Sequence, residues 1–142
     1  MTESRWVLDT NTLISRLLVP AGVAGRAVDA ALARGVLLVS DATLAELADV
    51  LARPKFDRYL SQGERQHFFR LLCGVARTVN ITQRTQACRD PKDNQFLDVA
   101  LCGEADAIIT GDADLLVLHP HHGVAILTPA QFLNVYSQDE RA

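Results

Sequence analysis

Arg5-Trp6-Val7-Leu8-Asp9-Thr10-Asn11-Thr12-Leu13-Ile14 joins a short apolar run to a carboxylate, three small polar residues and a second apolar run. The second run continues with helical spacing through Leu17 and Leu18. Such a stretch predicts a buried strand, a tight turn and a helix. In a parallel sheet, ligands bind beyond the carboxyl ends of the strands, and Asp9 stands at the mouth of this one. Asp is also a good helix N-cap, so the stretch alone leaves Asp9 divided between a site and a cap.

Outward from this stretch, strands and helices alternate. Val36-Leu37-Leu38-Val39 is apolar throughout, as a strand covered on both faces should be. Ala107-Ile108-Ile109-Thr110 and Val124-Ala125-Ile126-Leu127 read in the same way. Thr78-Val79-Asn80-Ile81-Thr82 alternates like a half-buried strand. Helices are predicted over 11–18, 25–34, 41–53, 62–76, 93–102, 114–118 and 129–136. Gly35 is expected to close the second of these in the left-handed C′ position. Phe68, Phe69, Leu71 and Leu72 are expected to face inward, and 55–60 to be a polar connection. The pattern argues an α/β chain: a single three-layer α/β/α domain with a central, mainly parallel sheet. It would span 1–136, with a polar tail over 137–142.

The composition is that of an ordinary globular chain: 142 residues, 49% hydrophobic and 22% charged. A net charge of −3 gives no bulk attraction to nucleic acid. Cys73, Cys88 and Cys102 are odd in number and lack metal-type spacing, which fits a reduced compartment. No signal-like start and no apolar run of membrane length is evident, so the expectation is a cytoplasmic chain without a membrane role. The apolar stretch over 19–28 fits either core or the face of a homo-oligomer.

The carboxylates fall at telling places. Asp9 follows the first strand, Glu46 lies early in the helix after the second, and Asp112 follows the fourth. Asp93 opens the helix before the fourth strand, and a right-handed crossover brings that helix start to the same sheet edge. Two unit charges ~4 Å apart at an effective dielectric of about 20 cost roughly 4 kcal/mol. A divalent ion is the simplest offset, and Mg²⁺ and Mn²⁺ prefer oxygen ligands. Each acid also has a structural alternative. Glu46 fits a capping box with Thr43, against which Ser40-Asp41 is an equally good earlier cap. Asp93 suits an N-cap, Asp90 competes for its role, Asp98 sits well around the helix as a residue that is either solvated or supports the site from behind, and Asp112 and Asp114 suit a turn and a cap.

Four segments together resemble the PIN-domain nucleases: Val-Leu-Asp9-Thr-Asn11, Thr-Leu-Ala-Glu46-Leu, Asp90-Pro-Lys-Asp93-Asn-Gln-Phe-Leu-Asp-Val-Ala-Leu, and Ile-Ile-Thr110-Gly-Asp112-Ala-Asp114-Leu-Leu. They occur in the family's order and span most of the chain. The chain is especially similar to a small prokaryotic branch that carries the Asp-Pro-Lys-Asp-Asn run and includes toxins of toxin–antitoxin pairs. The resemblance implies a metal-dependent ribonuclease whose acidic quartet is Asp9, Glu46, Asp93 and Asp112, with Asp90 the rival for the third place. It implies Mg²⁺ or Mn²⁺ on these acids. Asn11 and Thr110, with Asp90 and Asp114, would orient metal, water or phosphate. RNA would be the substrate, and a small antitoxin protein a partner.

Basic residues near these acids supply candidate phosphate contacts: Arg53, Lys55 and Arg58 after the third helix, and Arg84, Arg89 and Lys92 in the loop before Asp93. Each has ordinary surface charge as its alternative. His119, His121 and His122 flank Pro120 without zinc spacing, which reads as a loop. Two rivals remain at this point. A haloacid-dehalogenase-type phosphatase also begins with a strand and Asp-x-Asp-x-Thr, but Asn11 replaces its second Asp. A catalytically silent PIN-like interaction module would keep the fold and cut nothing.

Overall fold

The computed structural model describes residues 3–136; the tail expected over 137–142 lies outside the described residues. The strands are β1 (Ser4–Leu8), β2 (Gly35–Val39), β3 (Arg77–Thr78), β4 (Ala107–Ile109) and β5 (Ala125–Leu127). The helices are α1 (Thr10–Leu18), α2 (Val23–Arg34), α3 (Asp41–Leu51), α4 (Gln62–Val75), α5 (Asn94–Cys102), α6 (Ala113–Leu116) and α7 (Pro129–Tyr136). The strands form one sheet in the order β3-β2-β1-β4-β5, every neighbouring pair parallel. Helices cover both faces, giving the three layers expected of the sequence.

The apolar strands divide their side chains between two cores with period two. Trp6, Leu8, Leu37, Val39, Ala107 and Ile109 face one core, while Val7, Leu38 and Ile108 face the other. Trp6 anchors the first, its ring edge-on to Phe132 at 5.1 Å and to Tyr136 at 5.0 Å. From β1 the chain builds outward to β2 and β3, then returns to place β4 on the other side of β1. The order therefore reverses between β1 and β4, and the carboxyl ends of these two strands frame a crevice where α/β sheets bind ligands.

Several local expectations are corrected. Gly35 does end α2, its N–H bonding the Ala31 carbonyl, but it is extended, with φ −171°, and is the first residue of β2 rather than a left-handed cap. Its small size serves a different need: a Cβ there would lie 2.2 Å from the Ser4 carbonyl oxygen of the paired strand. The strand expected over 78–82 shortens to Arg77–Thr78, because only Leu38 and Val39 pair with it. Leu71 is exposed, and of the four apolar residues expected inward on α4 only Leu72 is fully buried. The connection over 55–60 buries Phe56 and Leu60. Arg65, 3% exposed, holds the Leu51 and Leu60 carbonyls at 3.1 and 2.8 Å and pairs with Asp57 at 2.8 Å. The 19–28 stretch divides, with Val19 and Val23 exposed and Ala27 and Val28 buried.

Candidate active site

Asp9 is the helix cap that its sequence position allowed, and it also lines a cavity at the sheet edge. It N-caps α1, with Oδ1 accepting from Thr12 N at 2.9 Å. Its Oδ2 accepts from Thr110 Oγ1, just past β4, at 2.5 Å. Thr110 is fully buried and also accepts from Asp112 N at 2.9 Å. One threonine hydroxyl thus ties the ends of β1 and β4 together across the crevice. Burial raises the Asp9 pKa; hydrogen bonds from Thr110 and Thr12 lower it in part, and the Asp112 charge raises it again.

Asp112 caps α6, with Oδ1 accepting from Asp114 N at 2.9 Å. Glu46 does not close a box with Thr43. Ser40 and Thr43 cap α3 reciprocally, with Thr43 N donating to Ser40 Oγ and Ser40 N to Thr43 Oγ1. Glu46 is left inside the helix, half-buried, and its carboxylate accepts from Thr10 Oγ1. Asp93 ends a single 3-10 turn (Pro91–Asp93) that leads into α5. Its Oδ2 is buried with no hydrogen-bond partner among the described residues. Burial first, then the neighbouring Asp112 carboxyl and the charges of Asp90 and Asp9, push the Asp93 pKa up to about 7. Asp90 is exposed and caps the same turn through Lys92 N at 3.1 Å.

Asp9, Glu46, Asp93 and Asp112 line one cavity of about 300 Å³, together with Asn11, Asp90, Arg53 and Lys92. Thr10 and Thr12 were not singled out in the sequence, although small hydroxyl residues directly after a strand-end acid are the signal that could have found them. Of the other basic candidates, Lys55 lies over the Phe56 ring at 5.1 Å, Arg84 lines neighbouring clefts, and Arg89 is exposed outside the cavity wall. Asp98 is not solvated: it is 6% exposed and accepts from Thr85 N at 2.6 Å, pinning the loop before α5. The histidines form a tight turn, His119 Nδ1 accepting from Ile126 N at 2.8 Å and His121 exchanging backbone bonds with Val124.

Among the described residues, no group of three or more His, Cys, Asp and Glu side chains stands close enough to hold a metal ion as placed. The carboxylates share the cavity, but Asp9 and Glu46 are each held by a threonine of a neighbouring segment. The donor set still fits a hard divalent cation. It is all carboxylate oxygen, and one of those oxygens, Asp93 Oδ2, is buried without a donor.

A PIN domain family model matches residues 5–114. The uncharacterized protein MJ1680 of Methanocaldococcus jannaschii is 29% identical, over 93% of this chain and 91% of its own length. Among solved structures, PAE2754 of Pyrobaculum aerophilum superposes with a TM-score of 0.64 at 14% identity, over 95% of this chain and 91% of that one. VapBC2 of Rickettsia felis, bound to a DNA fragment from their promoter, superposes with a TM-score of 0.60 at 10% identity, over 87% of this chain and 98% of that one. At these identities the solved structures speak for the fold.

Proposed function

The chain belongs to the PIN-domain family, and we propose that it is a metal-dependent ribonuclease that cleaves RNA phosphodiesters in the cavity of Asp9, Glu46, Asp93 and Asp112. One observation carries this reading. Four carboxylates from four separate segments share a cavity at the point where the sheet order reverses, and one of them keeps a buried oxygen without a donor. A structural network would have paired that oxygen. Asp9, Asp93 and Asp112 would hold Mg²⁺ or Mn²⁺, and Glu46 would hold the ion or position the attacking water. Bound there, a divalent ion supplies an activated water and stabilises charge on the phosphoryl oxygens. Thr110 and Thr10 orient Asp9 and Glu46. Asn11 stands exposed at the rim, and Arg53 and Lys92 meet the phosphate. Cleavage between phosphorus and the 3′ oxygen leaves a 5′-phosphate and a 3′-hydroxyl.

We further propose that the chain is the toxin of a toxin–antitoxin pair, held by a small antitoxin protein. Its likeness in fold to VapBC2, solved on DNA from its own promoter, supports this. The phosphatase alternative loses its ground with the family established. The silent module is separated by experiment. The purified chain should degrade RNA with Mg²⁺ or Mn²⁺ and stop in EDTA. Asp9→Asn should keep its circular dichroism spectrum and lose cleavage. Robust cleavage by that variant would sink the site assignment, and calorimetric Mn²⁺ binding without any cleavage would identify a silent module.

A further inference from the structure

Two polar clefts adjoin the acidic cavity along the same edge of the sheet. Lys92 lines both the acidic cavity and the nearer cleft, of about 500 Å³. Arg84, Gln95 and Asp98 line both that cleft and a farther one of about 480 Å³, which also borders Ser40 and Asn80. The three depressions therefore follow one another from the end of β1 toward the end of β3. Those strands are two interstrand steps apart, about 10 Å. A nucleic-acid strand covers that in three nucleotides stacked at ~3.4 Å, or in fewer when extended.

The chemistry of the clefts suits bases rather than phosphates. Asp98, 6% exposed, stands in the wall of both, and Asp41 in that of the farther one. Carboxylates there repel a phosphate but accept from the amino groups of bases. Gln95 and Asn80 carry amides, each with donors and an acceptor for base edges. Arg84 is exposed between the clefts, and a guanidinium plane can stack on a base. Lys92 provides the cation for a phosphate at the junction with the acidic cavity. We infer that these clefts are base subsites for nucleotides beyond the two joined by the scissile phosphate, shared between Arg84 and Gln95, so that an RNA strand lies along this edge with its bases turned toward α5. A duplex keeps those base edges paired and cannot offer them.

This inference rests on the ribonuclease reading, and its test separates the two. Fluorescence anisotropy in EDTA compares a labelled single-stranded RNA octamer with its duplex, on the wild-type chain and on Gln95→Ala and Arg84→Ala. The single strand should bind more tightly than the duplex, and each variant should lose about tenfold in affinity for it, the scale of one lost base contact. In Mg²⁺ or Mn²⁺, Gln95→Ala should raise KM for the octamer by a similar factor and leave cleavage of a dinucleotide, too short to reach the clefts, unchanged. Equal binding of single strand and duplex, or variants that bind the octamer like wild type, would overturn the inference even with cleavage intact. Absence of cleavage with the binding contrasts preserved would overturn the ribonuclease reading and leave the clefts as a single-strand site.

Discussion

Replacing Thr110 by Val takes one oxygen from the crevice and keeps the shape of the side chain. Thr110 is fully buried, so no water takes the hydroxyl's place. Two bonds go with it: the one donated to Asp9 Oδ2 and the one accepted from Asp112 N. A hydrogen bond to a charged acceptor contributes about 1.5–3 kcal/mol and a neutral one about 0.5–1.5, so the loss should be about 2–4 kcal/mol. Against a total stability of about 5–15 kcal/mol, that is a large share. At a urea m-value of about 2 kcal/mol/M, the unfolding midpoint in EDTA should fall by about 1–2 M with m unchanged. Thr110→Ser keeps the hydroxyl and should lose far less. The Asp9 pKa, already raised by burial, should climb further in Thr110→Val, because a bond that lowers it has gone. The stability deficit should narrow as pH falls through that pKa, where the acceptor becomes neutral. Equal midpoints for the Val and Ser variants at neutral pH would refute the reasoning, since the hydroxyl would then be doing nothing for the carboxylate.

Two further perturbations probe the scaffold and the acids. Gly35→Ala should destabilise by about 1–3 kcal/mol, because the new methyl meets the Ser4 carbonyl oxygen of the adjacent strand and neither backbone can move without loosening the β1–β2 pairing; a thermal melt unchanged from wild type would contradict the contact. Asp93, raised from 3.8 to about 7, binds a proton more readily folded than unfolded. In EDTA its contribution to stability should therefore be present in full below about pH 4 and decline as pH rises through about 7. Saturating Mn²⁺ should displace that proton and remove the decline; coincident melting-against-pH profiles with and without the ion would tell against Asp93 as a ligand.

The fold was legible because four of its strands have short apolar cores separated by helices. Trp6-Val7-Leu8 and Ala107-Ile108-Ile109 could hardly be anything but buried parallel strands. The meeting of the acids in one cavity was legible for a topological reason: parallel strands end at one edge, and helices following them begin there. Less legible was everything that depends on a partner distant in sequence. Nothing local tells that Thr110 reaches Asp9, 101 residues away, or that Thr10 reaches Glu46. Gly35 ends α2 as its sequence position suggested, but the close approach of the Ser4 carbonyl across the sheet, which demands its small size, is not visible locally. Nothing in the sequence around Arg65 shows the Leu51 and Leu60 carbonyls that it satisfies in the folded chain. Asp98 has the helical position of a solvated residue, and the loop folded over it supplies the Thr85 N–H that buries it.

The distribution of donors among the acids bears on how the cavity works. Carboxylates that share one cavity repel one another, and the fold gives most of them a hydrogen-bond donor. Asp9 is answered by two donors, Glu46 by a threonine, Asp112 by the Asp114 N–H and Asp90 by that of Lys92. A carboxylate has about four lone-pair directions, so one or two such donors hold its orientation and leave it able to bind more. Asp93 is treated differently, with one oxygen buried and donorless and its carboxyl facing Asp112. Burial and the neighbouring acids push its pKa up to about 7, so it takes up a proton more readily than an ordinary carboxyl. A cation bound there would have to displace that proton and draw the acids closer, since among the described residues no three such side chains stand close enough to hold a metal ion as placed. Thr110 and Thr10 hold the Asp9 and Glu46 carboxylates in their orientations.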